Sequence, residues 1–87
     1  MDQHIILGVH VTERLQQVAK VQQILTDFGC SIKTRLGLHE IEKGADSTNG
    51  LLILDMIDDT KKVDEFKATL SGIEGVEVQQ MIFKHPQ

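Results

Sequence analysis

The apolar positions in the first third of the chain change their spacing once. The run HIILGVHV, residues 4–11, is rich in β-branched residues and too short for a buried helix, so it predicts a strand. Apolar residues then recur at helical spacing, which predicts a helix that Thr12 caps and that Gly29 ends as a left-handed stop. The predicted core positions of this helix are Leu15, Val18, Val21, Ile24, Leu25 and Phe28.

Period-two alternation returns in residues 30–41 and predicts a second strand. Because successive side chains of a strand point to opposite faces, one face is mainly apolar and the other carries a polar row. The predicted core face holds Ile32, Thr34, Leu36 and Leu38, and the opposite face holds Lys33, Arg35, Gly37 and His39. The segment EKGADSTNG is rich in turn formers and predicts a loop that leads into an antiparallel third strand, residues 50–57.

The last third of the chain predicts a helix followed by a strand. The segment DDTKKVDEFKATLSG has a cap in Asp59 or Thr60 and a terminator in Gly72. The residues that face inward from this helix are Val63, Phe66 and Leu70. Residues 75–83, GVEVQQMIF, predict the last strand, and residues 85–87 are interpreted as a frayed end.

The predicted order of elements is βαββαβ. This order is typical of an α+β, ferredoxin-like domain, in which two helices pack on one face of a four-stranded antiparallel sheet with strand order 4-1-3-2. Eighty-seven residues suit one such domain, spanning residues 1–87. The strand order puts the first and third strands at the centre of the sheet and the second and fourth at its edges.

The face of this sheet that the helices leave bare is the predicted interaction surface. Its centre is apolar and its border is polar, which is the anatomy of a protein–protein interface, and two such sheets can stack face to face. The predicted oligomer interface consists of Ile6, Gly8, Lys33, Arg35, Gly37, Leu51, Ile53 and Met81. The alternative is a solvated sheet with a few exposed apolar side chains.

Composition and charge exclude several classes of partner. The formal net charge of −4, without long runs of one sign, gives no general attraction to nucleic acid or to anionic membranes. The bare face also lacks the aromatic residues that stack on bases, apart from Phe83. A single cysteine excludes an internal disulfide framework, and Cys30 is interpreted as a small buried hydrophobe. No signal peptide or spanning segment is evident, so a cytoplasmic location is the expectation.

No pattern of catalytic or metal-ligating residues is present. None of the four histidines has the spacing of a zinc motif, and His10 and His39 fall roughly 10 Å apart on the bare face, too far for one ion. There is no nucleophile-with-base pattern and no glycine-rich phosphate loop. We therefore predict no catalytic residues, no bound metal and no cofactor, and a protein that is not an enzyme.

Three stretches together resemble the iron-only hydrogenase system regulator family, a group of small ferredoxin-like regulatory domains. They are TERLQQVAKVQQILTDFGCSIKTRLGLHE, GLLILDMID and GIEGVEVQQMIF, and the most telling part is RLGL, residues 35–38, after a helix that ends in DFG. The resemblance implies a non-enzymatic regulatory domain related in fold to amino-acid-sensing ACT domains and to the C-terminal domain of the nickel-responsive repressor. Of that repressor's nickel ligands only His39 has a counterpart, and the ACT glycine is missing from HVTERL.

The sequence thus favours a small homo-oligomeric regulatory module, a dimer or a tetramer, that senses a small-molecule effector at a subunit interface. The predicted ligand-binding residues are His10, Thr12, Arg35 and His39. Two alternatives stay open: an assembly domain whose bare sheet docks a partner protein, and a small enzyme with an interfacial active site.

Overall fold

A computed structural model describes residues 3–12, 14–38 and 50–85 of the chain. These residues form four strands, β1 (Gln3–Val11), β2 (Ile32–Leu38), β3 (Gly50–Met56) and β4 (Val76–Lys84), and two helices, α1 (Arg14–Asp27) and α2 (Thr60–Ser71). The strands pair antiparallel in the order β2-β3-β1-β4. The predicted ferredoxin-like topology is confirmed, and the segment EKGADSTNG, apart from its final Gly50, lies outside the described residues.

The hydrophobic core lies between the helices and one face of the sheet. Alternate residues of the two central strands are buried, since each strand turns every second side chain toward the helices. The buried side chains are Ile5, Leu7, Val9, Val11, Val21, Leu25, Leu54, Met56, Val63, Phe66 and Leu70. Ile6 and Ile53, which alternate with these core residues, are only partly buried and lie on the other face. Both helices therefore cover the same side of the sheet, as predicted.

Helix α2 has the N-terminus that the sequence predicts. Asp59 is its N-cap, and the Asp59 carboxylate accepts a hydrogen bond from the backbone N–H of Lys62 at 3.2 Å. This bond satisfies one of the donors that every helix leaves unpaired at its start. Three inward residues follow at helical spacing and are fully buried, namely Val63, Phe66 and Leu70. The predicted inward face of this helix is confirmed.

The end of α1 differs from the prediction. Gly29 is not a left-handed stop, because the only glycine with a positive φ among the described residues is Gly75, at φ 86°. The chain instead tightens into a short 3-10 turn, Gly29–Ser31, and enters β2 directly. Cys30 lies in this turn and is exposed, so its interpretation as a buried hydrophobe was wrong. The core positions Val21 and Leu25 are confirmed; the side chains of Leu15 and Val18 lie outside the described residues.

A bulge in β2 reverses the faces that alternation predicts for this strand. Ile32 pairs with Met56, but Thr34 pairs with Asp55, so Lys33 is an extra residue without a pairing position. Opposite residues of an antiparallel pair share a face, and one extra residue moves every later side chain to the other face. The pairs beyond the bulge are Thr34 with Asp55, Arg35 with Leu54, Leu36 with Ile53, Gly37 with Leu52 and Leu38 with Leu51.

The face assignment of β2 is therefore corrected. Arg35 and Gly37 share the helix side of the sheet with the core residue Leu54, whereas Thr34 and Leu36 lie on the bare side. A hydrogen bond supports this placement, because Arg35 donates from Nη2 to the side-chain oxygen of Gln22 on α1 at 3.3 Å. Arg35 and Gly37, the paired members of the predicted polar row, thus do not border the bare face.

Candidate functional site

The side of the sheet opposite the helices is the candidate functional surface, and we call it the open face. Strand pairing defines its residues, because partners across antiparallel strands point the same way. They are His4, Ile6, Gly8 and His10 on β1, Thr34 and Leu36 on β2, Leu51, Ile53 and Asp55 on β3, and Glu77, Gln79, Met81 and Phe83 on β4.

The apolar residues of the open face are adjacent to one another. Ile6 lies opposite Met81, and Ile53 lies opposite both Gly8 and Leu36, so the apolar positions run across all four strands. The exposed fractions are high for large apolar side chains, 54% for Leu36 and for Met81 and 53% for Phe83. A contiguous exposed apolar surface on a small protein indicates an interaction site.

An open hollow of about 280 Å³ lies in this surface above Gly8. Its walls are His10, Leu51, Glu77 and Gln79. The hollow exists because Gly8 has no side chain, and a Cβ at this position would meet nothing within 4 Å. It therefore combines an apolar wall with a carboxylate, an imidazole and an amide. Sites for small ligands typically have such a lining, in which a few polar groups lie within apolar surface.

Two carboxylates lie on the open face. Glu77 accepts a hydrogen bond from the side-chain amide of Gln79 at 2.8 Å. Asp55 differs, because its Oδ1 atom is buried and has no hydrogen-bond partner among the described residues. Buried polar atoms are nearly always hydrogen-bonded. The Oδ1 atom of Asp55 is thus an unsatisfied acceptor just beneath this face.

Two histidines meet at one end of the open face. The imidazole rings of His4 and His85 have centres 4.5 Å apart and are tilted by 59°. Both side chains are exposed, and His85 continues the row of alternate β4 residues that ends in Phe83. The sequence interpretation placed His85 in a frayed end and missed this pair. The continued alternation after Phe83 was the signal that His85 lies on the same face as Phe83.

The structure describes three of the four predicted ligand-binding residues and does not bring these three together within one chain. His10 lines the hollow. Thr12 lies just after β1, is exposed, and donates its backbone N–H to the carbonyl of Gly75 at 2.7 Å. Arg35 lies on the helix side of the sheet, and His39 lies outside the described residues. The bulge at Lys33 is the reason that His10 and Arg35 are on opposite faces.

Most of the predicted interface residues do share the open face. They are Ile6, Gly8, Leu51, Ile53 and Met81. Arg35 and Gly37 lie on the other side, and Lys33 occupies the bulge. Leu36 takes their place on this face and was missed, because alternation within β2 contains no signal for an extra residue.

In the segments that the structure describes, no group of three or more His, Cys, Asp or Glu side chains is placed to hold a metal ion. No helix within these segments is long and apolar enough to cross a membrane.

Comparisons with known proteins support the fold. No protein-family model matches the sequence, and no curated protein matches it either. Among solved structures, the uncharacterized protein TM1266 from Thermotoga maritima is similar over 95% of this chain and 100% of its own length, with 21% identity and a TM-score of 0.81. The iron-only hydrogenase regulator resemblance therefore has no support from sequence comparison.

Two regulatory domains share the architecture at lower identity. The ACT domain from the GTP pyrophosphokinase of Chlorobium tepidum matches 93% of this chain and 100% of its own length, at 13% identity and a TM-score of 0.66. The nitrogen regulatory PII-like protein CPII from Thiomonas intermedia K12 matches 97% of this chain and 95% of its own, at 12% identity and a TM-score of 0.53. The chain thus has the ferredoxin-like fold that ACT domains and PII-like proteins share.

Proposed function

We propose that the chain is a non-enzymatic, homo-oligomeric regulatory module that assembles through its open face and binds a small effector in the hollow above Gly8. The observation that carries this proposal is the contiguous apolar surface of Ile6, Leu36, Ile53 and Met81 on a face that no helix covers. The fold gives further support, since an ACT domain and a nitrogen regulatory PII-like protein are built in the same way.

A second copy suits this surface in shape. The open face is one surface of a four-stranded sheet, and sheets stack face to face about 10 Å apart. Four strands about 4.8 Å apart and seven residues long give a flat area of roughly 450 Å² per subunit. Two such areas total roughly 900 Å², below the roughly 1,200 Å² at which standard interfaces begin, so we expect a weak dimer that dissociates in the micromolar range.

The hollow supplies the site for an effector. Gly8 leaves room, Leu51 offers apolar contact, and Glu77 and His10 offer polar contact. The hollow is open on one side, and stacking of a second open face closes it. Ligand binding and assembly then favour each other, because a ligand held by both subunits binds the dimer more tightly than the monomer.

The assembly is tested with two adjacent residues of β4. Met81 lies on the open face and Ile82 lies on the helix side, and both are exposed, by 54% and 40%. Met81→Glu places a charge in the interface and is expected to give a monomer by light scattering at a concentration well above the expected micromolar dissociation constant, where the wild-type chain is a dimer. Ile82→Glu is the matched control and is expected to leave the assembly unchanged. A monomeric wild-type chain under these conditions overturns the proposal.

The effector is tested by thermal-shift screening with amino acids, amines, nucleotides and divalent metals. A ligand that binds only the folded state raises the melting temperature, by an amount that grows with the ligand's concentration relative to its dissociation constant. Gly8→Val fills the hollow and is expected to abolish the shift while the protein remains folded. A shift that survives in Gly8→Val places the ligand elsewhere, and no shift across the panel favours a pure assembly domain.

Asp55 favours the second candidate, docking of a different protein. Stacked copies bring the Asp55 and Glu77 carboxylates of both subunits to one interface, and the paired positions of the open face that the structure describes hold no Lys or Arg. A partner with a basic side chain above Asp55 complements the charge of this carboxylate better than a second copy does. The expected result of that candidate is a monomeric protein whose complex is weakened by Asp55→Asn.

A further inference from the structure

The two histidines at the end of the open face, His4 and His85, form a cluster of side chains that can bind a metal ion. His4 lies on β1 and His85 directly follows β4, and their ring centres are 4.5 Å apart. The two strands are hydrogen-bonded neighbours in the sheet, with Gln3 opposite Lys84 and His4 opposite Phe83. The pair is thus built on a paired edge of the sheet and not on two independent loops.

The separation of the rings matches the geometry of two ligands on one metal ion. A metal ion about 2.0 Å from a ring nitrogen lies roughly 3.2 Å from the ring centre. Two rings bound at a right angle then have centres roughly 4.5 Å apart, whereas two rings at the tetrahedral angle have centres roughly 5.2 Å apart. The observed 4.5 Å is short enough for both rings to reach one ion, and the 59° tilt excludes a parallel stack of the rings.

The surroundings leave the pair accessible. Both imidazoles are exposed, and neither takes part in a salt bridge or a side-chain hydrogen bond within the described segments. A metal ligand must present a neutral imidazole with a free ring nitrogen. Both histidines have a nitrogen available for this purpose, and solvent supplies the remaining coordination positions.

We propose that His4 and His85 form a chelating site for a divalent transition-metal ion, with Cu(II) bound more tightly than Zn(II). Cu(II) heads the general affinity order of divalent ions for nitrogen ligands, and in its tetragonal geometry it accepts neighbouring ligands at a right angle. The site is formed by residues of one chain, so it does not rest on the proposed assembly. It is also separate from the hollow, because His4 and His85 are not among the residues that line it.

The experiment is titration of the metal-free full-length chain with Cu(II) and with Zn(II), in a Cys30→Ser background that removes the exposed thiol. Calorimetry against a competing chelator gives the affinity, and the electron paramagnetic resonance spectrum of Cu(II) reports the bound nitrogens. His4→Gln and His85→Gln are each expected to weaken Cu(II) binding by at least about tenfold, since even an outer-shell partner of a metal site contributes that much. Asp64→Asn is the control, because it removes an exposed potential ligand on α2 that belongs neither to the pair nor to the hollow.

Each possible result of the titration either supports or overturns the proposed metal site. Binding that falls in both variants of the pair, stays the same in Asp64→Asn, and shows two coordinated nitrogens supports the site. Binding that depends on His4 alone, or that is equal in all variants, overturns it. Circular dichroism of each variant verifies that the exposed substitutions leave the fold intact, and light scattering with and without Cu(II) separates this site from the proposed assembly.

Discussion

At the scale of single residues, three glycines show that the same residue type has different reasons to be present. Gly8 has free space above it, Gly37 has a side chain of Leu52 at 3.4 Å, and Gly75 has φ 86° with the carbonyl oxygen of Thr12 at 3.1 Å. Glycine is required by the backbone only at Gly75, because side chains strain the left-handed region. At Gly8 the absent side chain serves the surface and not the backbone.

This difference predicts opposite effects of one substitution. Gly8→Ala is expected to raise the free energy of unfolding by about 0.5–1 kcal/mol, because Gly is unfavourable within a strand and the new methyl group meets no atom. Gly75→Ala is expected to lower it by about 1–2 kcal/mol through the positive φ and the contact with Thr12. Urea denaturation of both variants measures the two changes, and equal values would contradict the assignment.

Asp55 gives a further residue-scale prediction. Its buried Oδ1 atom has no partner in the described part of the chain, so the charged carboxylate loses hydration without compensation. Asp55→Asn keeps the shape and removes the charge, and we expect the melting temperature to rise, with a gain of up to about 1 kcal/mol. The control is Asp64→Asn on the exposed surface of α2, where no change is expected.

At the scale of elements, the start of α2 and the bulge in β2 have the clearest local causes. The cap of Asp59 is a single hydrogen bond to the N–H of Lys62. The bulge is a single extra residue, Lys33, and it reverses the face of every β2 residue beyond it. A strand can thus occupy its predicted position in the sequence while one extra residue changes which of its side chains lie on the open face.

The cap predicts a measurable loss of stability. Asp59→Ala removes the acceptor at the N-terminus of α2 and is expected to lower the free energy of unfolding by about 1 kcal/mol. Asp59→Ser keeps a capping oxygen and is expected to lose much less. Thermal and urea denaturation of the two variants make the comparison, and an equal loss in both contradicts a capping role.

At the scale of the whole molecule, the distribution of apolar residues is the main feature. One set fills the core between the helices and the sheet, and a second set lies on the open face. A domain of this size buries a limited part of its surface, so covering the second set adds stability that the isolated chain lacks. Assembly and stability are therefore linked in the proposed oligomer.

This link predicts a melting temperature that depends on protein concentration. Dilution from about 100 to about 1 μM is expected to lower the melting temperature of the wild-type chain, because dissociation removes the stabilisation by the partner. Met81→Glu is expected to melt at the same temperature at both concentrations. Differential scanning fluorimetry measures both, and a wild-type midpoint that does not move with concentration argues against a dimer.

The fold was predictable because its signals are local. Alternation in residues 4–11 and 50–57, helical spacing in the two helices, and the cap at Asp59 each depend on near neighbours in the chain. The face of β1, β3 and β4 followed from the same alternation and is confirmed by the pairing. The site was predictable only in part, because Arg35 and Leu36 exchanged faces and His85 proved to lie beside His4.

The sequence by itself determined the order of elements, the topology and the existence of an apolar surface opposite the helices. The reason is that the spacing of apolar residues along the chain indicates which side chains face the core. Only the tertiary structure decided which side chains that surface presents. Register between strands is a long-range property: the pairing of Thr34 with Asp55 depends on β3, and the meeting of His4 with His85 depends on β4. No short-range pattern encodes either contact.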